Sequence, residues 1–125
     1  MIRLYQYPKC STCRKAVKWL ELKGVRFESV DLVAQPTPVS KLKDLHERSG
    51  LPLPRFFNTS GESYRAGGFK DRLKTLTDAE AFQALASDGK LVKRPILDLG
   101  STVLVGFDEA AYARALGATK SAAER

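Results

Sequence analysis

The chain has 125 residues, 43% of them hydrophobic and 28% charged, with 9 Gly and 6 Pro. That length supports one sizeable core and leaves no room for two, and the balance excludes collagen-like, low-complexity and wholly disordered classes. Lys and Arg number 21 against 14 Asp and Glu, a net charge of +7, which favours anionic substrates or partners without naming one.

Taken in chain order, Ile2, Leu4 and the residues to Tyr7 read as a short strand stopped at Pro8. A helix follows from Cys13 to Lys23, where Ala16, Val17, Trp19, Leu20 and Leu22 recur near helical spacing. Ser11 and Thr12 can cap its start, and Gly24 suits its stop. Val25 to Leu32 alternates as a second strand, so the opening is a βαβ unit whose strands run parallel if they share a sheet. Thr37-Pro38 signals a helix carried by Val39, Leu42 and Leu45 to Gly50.

Residues 51–76, with Pro52, Pro54, Gly61, Gly67 and Gly68, read as short helices and turns. Tyr64 to Lys74 interleaves bases with aromatics, a pattern that a solvated helix face explains more simply than a nucleic-acid surface. Thr77-Asp78-Ala79-Glu80 is a capping box opening a helix that ends at Ser87-Asp88-Gly89. Leu91 to Leu99 and Thr102 to Phe107 read as a hairpin turning at Gly100-Ser101, and Asp108 caps a last helix from Glu109 to Leu116. The order β-α-β, several helices, then β-β-α is an α/β fold with a helical insertion at about 37–89. Residues 1–117 form the domain and 118–125 a frayed tail.

The first residues lack a signal peptide's apolar stretch, and no segment approaches the roughly 18 apolar residues of a membrane span. The expectation is therefore a cytoplasmic protein with reduced thiols and no membrane contact. The two Cys lie in one window, Cys10-Ser11-Thr12-Cys13, too few for a disulfide scaffold. Cys10 falls between a strand end and a helix start, where free backbone N–H groups and the helix dipole stabilise a thiolate, so it is the expected nucleophile. Cys13, three residues on, is placed to resolve a disulfide with it, and Lys9, Arg14 and Lys15 add positive charge that attracts an anion.

A structural zinc site wants four ligands and the chain offers Cys10, Cys13 and the lone His46, so no metal is expected; His46 reads as a surface or half-buried helix residue. Dinucleotide and phosphate-loop motifs are absent, and no cofactor is implied. Lys93-Arg94-Pro95-Ile96 opens the third strand, and a cis peptide before Pro95 would set backbone beside the thiols. For Arg94 a solvent-facing position is the plain alternative.

The run Tyr7-Pro8-Lys9-Cys10-Ser11-Thr12-Cys13-Arg14-Lys15-Ala16, the later Lys93-Arg94-Pro95-Ile96 and the closing Val105-Gly106-Phe107 together resemble the arsenate reductase ArsC/Spx/MgsR family. Phe57-Asn58-Thr59-Ser60-Gly61 and Tyr64-Arg65 add to the likeness, which reaches to about residue 117. The resemblance implies a thioredoxin-like fold with a helical insertion between its halves. It implies further that Cys10 is the redox nucleophile, that Arg94 points at it, and that Pro95 is the cis proline shaping the cleft.

Glutaredoxin-dependent arsenate reductases of the family usually lack the second Cys and use further arginines around the oxyanion. Here Cys13 is present, and Asn58 and Val105 stand where those arginines are sought. The function implied is a thiol-disulfide oxidoreductase acting on disulfides or arsenate-like oxyanions, with glutathione or a thioredoxin or glutaredoxin as thiol donor. The alternative is the family's Spx-like branch, a redox-sensing regulator that binds RNA polymerase through the helical region after the second helix, without direct nucleic-acid binding.

Overall fold

The computed structural model describes residues 1–124 of the chain, with side chains as far as Gly117. Its sheet has the strand order β2-β1-β3-β4, with β1 at Arg3–Gln6, β2 at Glu28–Asp31, β3 at Ile96–Asp98 and β4 at Val103–Val105. The first helix, α1 (Ser11–Leu22), crosses between β1 and β2, which pair in parallel as the βαβ reading requires. β3 is antiparallel to both β1 and β4, so the closing hairpin lies against the middle of the sheet.

Pleating divides the core in two. Leu4 pairs across from Leu97, which pairs with Leu104, and this face packs under Ala16 and Leu20 of α1 and Tyr112 of the last helix. Tyr5, Ile96 and Val103 point the other way, into the insertion. There α2 (Val39–Ser49), the short helices α3 (Glu62–Ala66) and α4 (Phe69–Arg72), and α5 (Asp78–Ser87) supply Leu42, Leu45, Phe69, Phe82 and Leu85. The sheet is thus covered on both sides, which accounts for the burial of three successive β1 residues, Leu4, Tyr5 and Gln6.

Several boundaries differ from the sequence pattern, each for a physical reason. β2 occupies only the end of the alternating stretch, because its ladder can be no longer than β1; Val25 and Phe27 precede it and pack toward the α1 side. α1 begins at Ser11 with Cys10 itself as the N-cap residue, and Ser11 and Thr12 are already helical. α2 starts at Val39 with Pro38 in extended conformation before it, which leaves the buried Thr37 hydroxyl without a capping role or a partner.

β3 begins only after Pro95, which has no N–H to give a ladder. Before it, Gly89–Leu91 form a 3₁₀ turn and Val92 makes a lone bridge to Phe57. The last helix, α6 (Glu109–Glu124), is started by the Asp108 carboxylate, which accepts from the Ala110 N–H at 2.9 Å. It runs past Leu116, where the sequence pattern ends it, into Ala-rich sequence. Arg125 and the side chains of the tail expected at 118–125 lie outside the described residues.

The capping box is present with both of its bonds: Thr77 Oγ1 accepts from the Glu80 N–H at 3.1 Å, and Glu80 Oε1 accepts from the Thr77 N–H at 2.9 Å. In the Tyr64–Lys74 stretch Phe69 is buried between Phe57 and Tyr64, and the Arg72 guanidinium lies over its ring at 4.2 Å, so the aromatics serve the packing of the insertion. Gly89 has no room for a side chain, since a Cβ there would run into the Leu32 carbonyl.

A polar contact between residues far apart in sequence ties the insertion to the sheet. Arg48, in the last turn of α2, donates Nη1 to Asp98 Oδ1 at 2.6 Å and Nη2 to Asp98 Oδ2 at 3.1 Å. It also grips Asp44 and donates to the Gly100 carbonyl at 2.9 Å, while the Gly100 N–H returns to Asp98 Oδ1. The Arg48 hydrogen bond holds the Asp98 carboxyl below its ordinary pKa against the opposing effect of burial. A depressed carboxylate stabilises the fold above its unfolded pKa of about 3.9, and that stabilisation is lost as pH falls through the lower folded value. Asp98→Ala is expected to cost about 2–3 kcal/mol at neutral pH, because it leaves Arg48 without its buried partner. Urea midpoints should show the gap from wild type closing at acid pH; a gap independent of pH would show that the carboxylate charge is not involved.

Candidate functional site

Pro8 restricts Tyr7 to extended backbone, which ends β1 and aims the chain into α1. The turn closes with the Cys10 N–H donating to the Tyr7 carbonyl at 2.9 Å. Cys10 then caps a helix of 12 residues, its sulfur beside the unpaired N–H groups and the positive end of the dipole. Cys13, on the first turn, is fully buried, and its Sγ accepts the Tyr7 N–H at 3.4 Å. Both thiols are free.

The two sulfurs stand in opposite electrostatic conditions. Burial opposes charge on Cys10, but the Cys13 backbone N–H and thiol, then the hydrogen bond and charge of Arg94, outweigh it, and the thiol lies below its ordinary pKa. Burial pushes Cys13 up to about 12, against the Tyr7 N–H and with the help of the neighbouring Cys10. The arrangement favours the anion on Cys10 over an anion on Cys13.

Arg94 lies in the segment before β3, half-buried, and lines the cleft beside Cys10. Its Nη1 donates to the Lys90 carbonyl at 3.0 Å, its guanidinium lies 5.2 Å from the Tyr7 ring centroid, and its buried Nε has no partner. The Arg94-Pro95 peptide is cis. The Pro95 carbonyl accepts the Gly106 N–H at 2.8 Å, joining this segment to the end of β4.

A cleft of about 280 Å³ opens over Cys10, lined by Thr12, Asn58, Ser60, Lys93, Arg94, Gly106 and Phe107. It carries two cations and no carboxylate, and so favours an anionic substrate. Its aromatic wall is rigid: Phe107 meets Tyr112 edge to face at 5.0 Å and Trp19 at 6.2 Å, while the Tyr112 hydroxyl donates to the Gly106 carbonyl at 2.8 Å.

The structure therefore brings Cys10, Cys13 and Arg94 together, with the cis-bonded Pro95 next to Arg94 in the chain and outside the cleft lining. Lys9 and Arg14 are exposed and outside the cleft lining. Asn58 lines the cleft, whereas Val105 packs toward the insertion core. Lys93, Ser60, Thr12 and Phe107 were not singled out for the site; Lys93 and Phe107 lie inside the recognised motifs, but their direction depends on the chain folding back. Tyr7 was missed also, because nothing in sequence announces a ring under an arginine.

His46 lies in α2 between the rings of Phe56 and Phe82, and no group of three or more metal-ligating side chains exists among the described residues. Among them, too, no helix is long and apolar enough to cross a membrane.

A thioredoxin-like sheet with a paired CxxC at the head of its first helix defines a thiol redox protein. The chain belongs to the ArsC family, whose sequence profile matches residues 5–115. It is 47% identical over 108 residues to the uncharacterized protein YusI of Bacillus subtilis, covering 86% of this chain and 92% of that one. The global transcriptional regulator Spx of Lactiplantibacillus plantarum is 26% identical over 109 residues, covering 87% of this chain and 81% of the relative. The crystal structure of a possible arsenate reductase from Streptococcus mutans superposes with a TM-score of 0.79 at 44% identity, covering 86% of this chain and 91% of that one.

Proposed function

We propose that this ArsC-family protein is a thiol-disulfide oxidoreductase in which Cys10 is the nucleophile, Cys13 the resolving thiol and Arg94 the group that stabilises the Cys10 anion. The observation that carries the reading is the unequal placement of the thiols, with Cys10 at the head of α1 bordering the cleft beside Arg94 and Cys13 fully buried behind it. In the first step the Cys10 thiolate attacks one sulfur of an acidic disulfide; the substrate S–S bond breaks and a thiolate leaves. In the second, Cys13 gives up its proton to solvent or the leaving group and attacks Cys10, forming the Cys10–Cys13 disulfide and releasing the second substrate thiol. The two protein thiols are oxidised and the substrate disulfide is reduced. The rise that a charged Cys10 imposes on Cys13 disappears once Cys10 is bonded, which favours the second step. An external thiol donor, such as glutathione or a thioredoxin or glutaredoxin, then restores the dithiol.

Alkylation of the reduced protein tests the assignment. Cys10 should react with a midpoint below the free-thiol value of about 8.5, and Cys13 slowly at any neutral pH. Mild oxidant should give an intramolecular Cys10–Cys13 disulfide. Faster labelling of Cys13, or oxidation that yields only intermolecular dimers, would sink the reading. A second reading, a redox-sensing regulator that binds RNA polymerase, is supported by the similarity to Spx over most of both chains. Retention of polymerase by the chain, with no turnover of any disulfide, would favour it.

A further inference from the structure

Arg94 does not reach the thiols unaided. One end of its guanidinium is fixed by the Lys90 carbonyl, but the face of the group rests on the ring of Tyr7, with centroid and Cζ 5.2 Å apart. That separation is within the range at which a ring quadrupole attracts a cation. Tyr7 is also the residue whose backbone ties both cysteines: its carbonyl accepts from the Cys10 N–H and its N–H donates to Cys13 Sγ. One residue therefore fixes the Cys10 backbone and the Cys13 sulfur through its main chain and meets the Arg94 charge through its side chain. The ring is half-buried and lines the second cleft, about 310 Å³ in volume, whose boundary with the first is formed by Asn58 and Arg94.

We propose that Tyr7 is the positioning residue that holds the Arg94 guanidinium in register with Cys10. The inference rests on the reading of Cys10 as the reactive thiol. The ring acts through Arg94, whose Cζ lies over it and whose buried Nε has no hydrogen-bond partner. Without the ring, the guanidinium keeps only the bonds of Nη1 to the Lys90 carbonyl at 3.0 Å and the Val92 carbonyl at 3.5 Å, so it can pivot about that end toward the second cleft and the charge it lends Cys10 weakens. The charged and titratable groups that face Cys10 are Cys13 from α1, and Lys93 and Arg94 from the segment before β3. Lys90 and Glu62 border the adjoining cleft.

The test measures Cys10 alkylation against pH in the reduced full-length chain, read by mass spectrometry of the Cys10 peptide. It compares wild type, Tyr7→Phe, Tyr7→Leu, Tyr7→Met, Arg94→Gln and the Tyr7→Leu/Arg94→Gln double variant. Every substitution keeps the main-chain bonds, and Tyr7→Met fills the volume without a π face, so one of the two ring-less variants serves if the other does not fold. The ring-less variants should shift the Cys10 midpoint upward by about half a unit or more, Tyr7→Phe should stay near wild type, and the double variant should match Arg94→Gln alone. A packing role would not produce that cancellation. Ring-less variants at the wild-type midpoint, or a Tyr7 effect that adds in full to that of Arg94→Gln, would overturn the proposal. A wild-type midpoint at or above that of a free thiol would instead sink the assignment of Cys10, a result distinguishable from the first two.

Discussion

Cys10→Ser is expected to abolish disulfide turnover, lowering it by roughly 10³-fold or more toward the uncatalysed rate, whereas Cys13→Ser should leave the first half-reaction intact and stop the second. The difference follows from position. Cys10 alone borders the cleft, and Arg94 and the head of α1 favour its anion. Cys13 is buried, with its pKa pushed up to about 12, and can act only on a sulfur delivered to it by Cys10. The Cys13→Ser chain should accumulate as a mixed disulfide with the substrate thiol, visible as a mass increment on the Cys10 peptide and released by added reductant. If Cys13→Ser instead turns over at the wild-type rate, the substrate thiol or the donor resolves the intermediate and the second Cys has another use.

Arsenate should be reduced weakly or not at all with glutathione and glutaredoxin supplied, even though the chain is 44% identical to a possible arsenate reductase. Among the described residues, the cations lining the cleft are Arg94 and Lys93. Of the two positions where further arginines are sought, Asn58 faces the cleft with a neutral amide, and Val105 faces the insertion core. Each charge-assisted hydrogen bond to an oxyanion is worth about 1.5–3 kcal/mol, so the loss of two costs roughly 10²–10⁴-fold in rate. Coupled assays of the wild type and of Asn58→Arg decide the matter. Strong Cys10-dependent arsenate turnover by the wild type would contradict the argument, while a gain in Asn58→Arg would locate the missing contact.

Much of this site could be read before any coordinates, because its chemistry is local. Two thiols three residues apart at a strand-to-helix junction carry their own electrostatics, and the motif around Pro95 carried its own resemblance. The capping box at Thr77 and the turn at Gly100 were legible for the same reason: each depends on a few neighbouring residues. What stayed hidden depends on pairs far apart in sequence. The Arg48–Asp98 contact spans 50 positions and its members look like ordinary helix and strand charges. The length of β2 is set by β1, not by its own alternation, and the start of β3 by a missing N–H at Pro95. The helical insertion was visible as a run of short elements and the resemblance pointed to Asn58, but the fact that the insertion also supplies Ser60 to the Cys10 cleft was not legible.

The complete burial of Cys13 also sets how these molecules can join one another. A folded chain offers the outside world a single thiol, and so has a disulfide valence of one. It can be capped by a small thiol, or paired with one other chain through Cys10, but it cannot be strung into a polymer. Under oxidative load the largest disulfide-linked species of folded protein is a dimer, and any longer ladder on a non-reducing gel would report chains that have already lost their core.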